Sequence, residues 1–254
     1  MHTMTKYVII FHMPPKIVVA THKTFSPPTD SIYLPLHVGA KGKPRLGFAT
    51  DDTGDNISSK NDNFCELTGL YWAWRNLKNT DAIGLCHYRR YFKASQNQID
   101  AMLGKIDCIL PKPRHYFIET TYSQYIHAHH AIDLDMTRKI IAERHPDYLA
   151  AFDATMKSTK GHRFNMLIMK RTLLDRYCTW LFDILFELER RLDISSYSDN
   201  DRRVFGFVGE RLLDVWIRAN SIPYLEIPVL HTESQHWPTK IVKFLTRKFL
   251  PRPQ

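Results

Sequence analysis

The chain has 254 residues, 44% of them hydrophobic and 24% charged, which is ordinary for a folded protein with a substantial core. Its 35 basic against 26 acidic residues leave a net charge of +9, pointing to anionic partners: nucleic acid, phosphorylated small molecules or an anionic membrane surface. Four widely spaced cysteines with no CxxC pair argue against a disulfide framework and for reduced, mostly buried thiols.

Residues 1–15 read as an extension that the fold does not need. The run Lys6–Met13 is too short for a signal segment, and nothing approaches the roughly 18 uninterrupted apolar residues of a membrane-spanning helix, so a cytoplasmic protein is expected. Lys16–Lys23 reads as a first buried strand ending in polar groups. Residues 24–60, rich in Pro, Gly, Asp, Ser and Thr, read as a long irregular and functional segment. A helix is predicted from Asn61 to Leu77, with Leu67, Leu70, Tyr71 and Trp74 on its apolar face.

Ala82–His87 is an apolar run that stops in His87-Tyr88-Arg89-Arg90. Ligands of open α/β sheets sit beyond the carboxyl ends of the strands, and guanidinium forks match phosphate oxygens there. A short helix follows at Ile99–Leu103, then a strand at Ile106–Pro113 ended by prolines. Residues 114–160 are helical and rich in Tyr and His. Phe164–Met169 is a strand and Arg171–Leu192 a long amphipathic helix. Residues 193–203 form a polar loop, Gly206–Ile217 a loop entering a helix, and Ile222–Leu230 a last strand ending at His231. Strands alternating with helices argue for a mostly parallel sheet covered on both faces. The domain is expected over residues 16–238, and residues 239–254 form a basic amphipathic tail suited to an anionic membrane surface or to packing on the domain.

Phosphate loops of the GxGxxG and GxxxxGK[ST] types, GxSxG and HExxH are all absent. His127, His129 and His130 lie beside Asp133 and Asp135, but their spacing does not suit a zinc site, and one of them is expected to face the crevice. The basic residues are scattered and no RRM, KH or helix-turn-helix signature appears, which argues against nucleic acid.

The ordered set Ala20-Thr-His22-Lys23, His37-Val-Gly39, Asp52–Ser58, Asn61, Cys65–Asn76, Gly84–Phe92, Asn165–Met169 and Glu210-Arg211-Leu212 resembles the DUF4422 family of capsular and exopolysaccharide biosynthesis proteins. That resemblance implies a bacterial glycosyltransferase with a GT-A-like, Rossmann-type fold, some members of which transfer galactofuranose from a UDP donor. It implies a UDP-sugar donor and a glycan or lipid-linked acceptor at the inner face of the membrane. Most GT-A enzymes hold the donor diphosphate through a metal on Asp-x-Asp. In the similar place this chain carries His87-Tyr88-Arg89-Arg90, so a metal-independent enzyme is expected, with Arg89 and Arg90 stabilising the leaving group. Asp51, Asp52 or His231 remain open as metal ligands for Mn²⁺ or Mg²⁺.

An inverting transfer needs a carboxylate to deprotonate the acceptor hydroxyl. Glu210 is the first choice for that base, followed by Glu66 and Asp52. Thr21, His22 and Lys23 are expected to meet the nucleoside or its phosphate. Asn56, Ser58 and Asn61 would bind sugar hydroxyls; His87, Tyr88 and Asn165 would line the donor site; Glu66 and His129 would lie on the acceptor side. A sugar-nucleotide-binding or scaffold subunit without catalysis is the alternative function.

Overall fold

The computed structural model describes residues 13–232; the amphipathic tail at 239–254 and most of the N-terminal extension lie outside that range. In chain order the elements are β1 (Lys16–Thr21), β2 (Tyr33–His37), β3 (Ala49–Thr50), α1 (Asn61–Phe64), α2 (Leu67–Asn76), β4 (Ala82–His87) and β5 (Arg90–Phe92). There follow α3 (Gln96–Leu103), β6 (Cys108–Pro111), β7 (Arg114–His115), α4 (Thr121–Ile126), α5 (Ala131–Arg144), α6 (Leu149–Lys157) and β8 (Lys160–Gly161). The last are β9 (Leu167–Lys170), α7 (Arg171–Arg191), α8 (Val204–Ala219), β10 (Leu225–Ile227) and β11 (Val229–His231).

The main sheet runs β10-β6-β9-β4-β1-β2-β3, and β5 and β11 pair off its path beside β4. Pairing is parallel throughout except around β9, which is antiparallel to both β4 and β6, and in the β4–β5–β11 ribbon. The mixed α/β class and mostly parallel sheet are therefore those expected. Period-two alternation in β1 explains the two cores: Val18 and Ala20 face the layer of α2 and α4 to α8, while Ile17 and Val19 face α3 with Tyr88, Tyr91 and Phe92. Among the described residues no helix is long and apolar enough to cross a membrane.

Four sequence expectations are corrected. The segment 24–60 is not wholly irregular, because β2 and β3 extend the sheet. Pro35 disguised β2, yet β3 joins β2 only at Leu36 and His37, which leaves Pro35 on an open edge where proline is tolerated. The helix expected over 61–77 is broken at Cys65, whose φ of 53° is left-handed. The last helix starts at Val204, so Gly206 lies inside it and Glu210 is in its second turn. Both glycines of α8 are explained by close approach: a Cβ on Gly206 would stand 3.0 Å from Cys65, and one on Gly209 would stand 2.6 Å from Leu67 Cδ1. The last strand is two, β10 and β11, with Pro228 between them.

Residues 13–15 are tied to the domain. Met13 N donates to Asp81 Oδ2 at 2.9 Å, and Thr80 Oγ1 donates to the Pro14 carbonyl at 2.8 Å.

Candidate active site

In the order β4-β1-β2 all three strands are parallel, but β2 is added on one side of β1 and β4 on the other, and a crevice opens at that switch in strand order beyond the carboxyl ends of the strands. It is about 480 Å³ and is lined by Ala20, His22, Val38, Asn61, Asp62, Cys65, Glu66, His87, Arg89, Asp199, Arg202 and Arg203. The strands supply its floor, the α1–α2 break one wall, and the turn Asp201–Arg203 before α8 the other.

The positive side is built from several segments. His87 ends β4, and its Nδ1 accepts from Arg89 N at 3.3 Å. Burial, then Arg89 and Arg90, push its imidazole down to about 3, so it is neutral at physiological pH. His22 is also held below the ordinary histidine range, by burial first and then by Arg89, Lys23 and Arg203. Arg203 donates from Nε to Cys65 Sγ at 3.2 Å and lies 5.1 Å from the Phe207 ring centre. Burial pushes the Cys65 thiol up to about 12, so it meets Arg203 in its neutral form.

The negative side is Glu66, the residue before α2. The break at Cys65 turns it to the crevice, where its Oε1 accepts from Asn165 Nδ2 at 2.9 Å. Burial, followed by the neighbouring Glu210, raises its carboxyl above the ordinary glutamate range. Asn165 is buried and left-handed (φ 52°); it also donates to the Gly206 carbonyl at 3.1 Å, while its Oδ1 has no partner among the described residues.

Of the residues singled out in sequence, His22, Asn61, Glu66, His87 and Arg89 meet in the crevice. Asn61 donates from Nδ2 to the Cys65 carbonyl at 2.7 Å and to Thr68 Oγ1 at 3.0 Å, bracing the break. Asn165, Glu210 and Arg90 form a layer behind Glu66. Both Glu210 oxygens are engaged, Oε1 with Phe164 N at 3.0 Å and Oε2 with Arg211 Nη1 at 2.9 Å. Arg90 lies 4.1 Å from the Phe164 ring centre, and burial lowers its guanidinium from the usual arginine value.

The rest stand elsewhere. Thr21 is buried and closes a turn, its Oγ1 donating to the Lys23 carbonyl at 2.6 Å. Lys23 Nζ lies 5.0 Å from the Tyr88 ring centre. Tyr88 is itself buried, packed by His22, Phe25 and His87, so it supports the floor and is not a lining residue. Asn56 serves its own loop, bonding the Gly54 carbonyl at 2.9 Å and Ser58 N at 3.2 Å.

Ser58 and Asp51 are one buried knot. Asp51 accepts from Gly39 N, Ala40 N, Ser58 Oγ and Thr68 Oγ1 at 2.5–3.1 Å. Its oxygens are thus committed to structure. Asp52 pairs with Arg45 at 2.8 Å, and His231 sits on β11 opposite Arg90. Among the described residues no group of three or more His, Cys, Asp and Glu is arranged to hold a metal ion. The expected facing of one of the three clustered histidines to the crevice is also corrected. His127 binds Glu119 at 2.5 Å, and His130 approaches Asp201 at 3.8 Å and stacks on Tyr197. His129 binds Asp201 at 3.0 Å and stacks on Phe207 at 4.3 Å, behind the turn that carries Arg203.

Sequence reasoning missed Cys65 as a break, Arg202 and Arg203, and Asp199. The Arg202-Arg203 doublet after a polar loop was the available signal.

A solved structure resembles this one. The WbbM bifunctional glycosyltransferase, in its apo form, matches with a TM-score of 0.81 and 27% identity, over 87% of this chain and 46% of that one. This chain therefore spans less than half of that protein's length. No curated protein sequence matches it. The fold is thus one found in a glycosyltransferase, with a basic crevice at the sheet's switch point. The chain belongs to the DUF4422 family, described as a domain of unknown function, whose model matches residues 16–221.

Proposed function

We propose that the protein is a glycosyltransferase that takes a hexose, galactofuranose or another, from a UDP-sugar and adds it to a growing capsular, exopolysaccharide or O-antigen glycan. One observation carries this reading: a single crevice at the β1–β4 switch point joins Arg89, Arg202 and Arg203 to the carboxyl of Glu66. Guanidinium groups match the oxygens of a diphosphate, and a carboxyl with a raised pKa suits proton transfer near neutral pH. The likeness to WbbM supports the same class.

In this reading Arg89 and Arg203 hold the diphosphate and offset the charge that grows on the leaving UDP. Glu66 takes the acceptor proton in an inverting displacement. Glu210, whose two oxygens are bound, keeps Phe164 in place and raises the affinity of Glu66 for its proton. The role first given to Glu210 thereby passes to Glu66. In this reading the arginines take the part a divalent cation would play, and no step is routed through one.

The test is donor turnover. Glu66→Gln is expected to lower hydrolysis and transfer about 10²–10⁴-fold while leaving UDP-sugar binding within a small factor. Full activity in Glu66→Gln would remove the proposed base. Binding of donor without any turnover in the parent protein would favour the scaffold subunit instead.

A further inference from the structure

Away from the crevice, the two most exposed of the large apolar side chains among the described residues are neighbours at one loop tip. Phe117 is 88% exposed and Ile118 is 56% exposed, whereas most residues of those types are inside. Phe117 is also held left-handed, at a φ of 55°, a conformation that an L-residue with a Cβ rarely adopts.

The tip is rigidly mounted. At its base β7 and β8 pair antiparallel, Arg114 opposite Gly161 and His115 opposite Lys160. Tyr116 N donates to the Thr159 carbonyl at 2.8 Å, and Thr121 N donates to the Ser158 carbonyl at 2.7 Å. Thr120 then caps α4 through Ser123 N at 3.0 Å. A loop fixed on both sides holds these two exposed apolar groups outward, with the His115 ring centre 6.4 Å from that of Phe117.

The surroundings are cationic. Lys112, Arg114, His115, Lys157 and Lys160 are all solvent-facing around the tip. The loop's own carboxylate, Glu119, is buried and bound to His127 and so is not exposed in that collar. An aromatic and a branched aliphatic tip inside a basic collar is complementary to an anionic bilayer surface: the apolar groups enter the acyl boundary and the cations meet the headgroups.

The position suits such a contact. The Arg114 guanidinium lies 5.9 Å from the ring centre of Phe164, whose backbone N–H is held by Glu210 beside Glu66. We infer that the 116–120 loop is a membrane-insertion tip, with Phe117 and Ile118 seated in an anionic leaflet so that the Glu66 side of the crevice faces the bilayer. Its meaning for catalysis rests on the transferase reading with the glycan acceptor carried on a lipid, but the contact itself does not depend on that reading.

The test uses the full chain with vesicles of phosphatidylcholine alone or an equimolar mixture with phosphatidylglycerol. Phe117→Trp is expected to gain tryptophan quenching by brominated lipid in the anionic vesicles, which the parent protein and Ile132→Trp, exposed on α5, do not gain. The paired substitution Phe117→Ser with Ile118→Ser should lower vesicle affinity about tenfold or more and leave UDP binding unchanged. Vesicle binding without extra quenching at position 117 would overturn the inference and assign the contact to another surface. Absence of vesicle binding would also overturn it. So would concentration-dependent self-association that the serine variant abolishes, which would make the tip an interface between copies of this chain. Loss of UDP binding in the parent protein would instead count against the transferase reading and leave the vesicle result standing.

Discussion

His87 shows how one residue reports on the whole crevice. Its folded value near 3 lies well below the ordinary 6.5, because burial and the adjacent arginines disfavour its charged form. As pH falls, the unfolded chain therefore takes up the proton first. The contribution of His87 to stability is fully present above the unfolded value and is lost as pH drops from about 6.5 toward 3. His87→Gln should flatten the fall in unfolding free energy between neutral and mildly acidic pH, as read by urea titration. A bound diphosphate beside Arg89 would offset the cationic repulsion that adds to burial in holding down His87 and His22. Binding of a UDP-sugar, whose phosphates do not titrate in this range, is then expected to tighten from neutral to mildly acidic pH and to release that dependence in His22→Ala. Affinity that is flat with pH would show that no phosphate sits near these rings.

Asp51 belongs to the same scale and carries the opposite lesson. A carboxylate in a segment rich in Asp, Gly and Asn reads equally well as a ligand or a brace, and only its four donors decide for the brace. Asp51→Ala strands those donors and should destabilise the protein by about 2–4 kcal/mol, seen as a lower melting temperature. Mn²⁺ should not rescue it.

Among the elements, the broken α1–α2 helix does most to make the site. The apolar stripe of Leu67, Leu70 and Trp74 was legible because helical spacing is local, and the run 82–87 was legible because buried strands are continuous apolar stretches. The left-handed turn at Cys65 was not. It is set by a contact 141 positions away, where Gly206 of α8 packs against Cys65 with room for no side chain. The wall bearing Arg203 was illegible for a similar reason, since Asp201 is held by His129 and Ser198 and no periodic pattern marks it. Gly209→Ala would bring a methyl group to 2.6 Å from Leu67 Cδ1 and 3.4 Å from Asn165 Oδ1. Overpacking of that kind costs about 1–3 kcal/mol. Because the displaced residues hold Glu66, turnover is expected to fall more than UDP binding does; equal losses in both would mean that the break does not position the carboxyl.

At the scale of the molecule, the sheet places a switch in strand order between the parallel strands β1 and β4, and the basic side chains of three separate segments converge on it. The net charge of +9 pointed to an anionic ligand but could not say where it binds. The crevice is the place proposed for it, and the WbbM structure shares this fold over 87% of this chain. The account stands on whether this crevice holds a nucleoside diphosphate. The most direct measurement is a calorimetric titration of the full chain with UDP, GDP and CMP, each in Mn²⁺ and in EDTA. Saturable UDP binding that survives EDTA and weakens about tenfold or more in Arg89→Ala and in Arg203→Ala is the predicted result, as expected for loss of a charge-assisted contact. Absence of binding to any nucleotide, or UDP binding that requires Mn²⁺ and ignores both arginines, would contradict it.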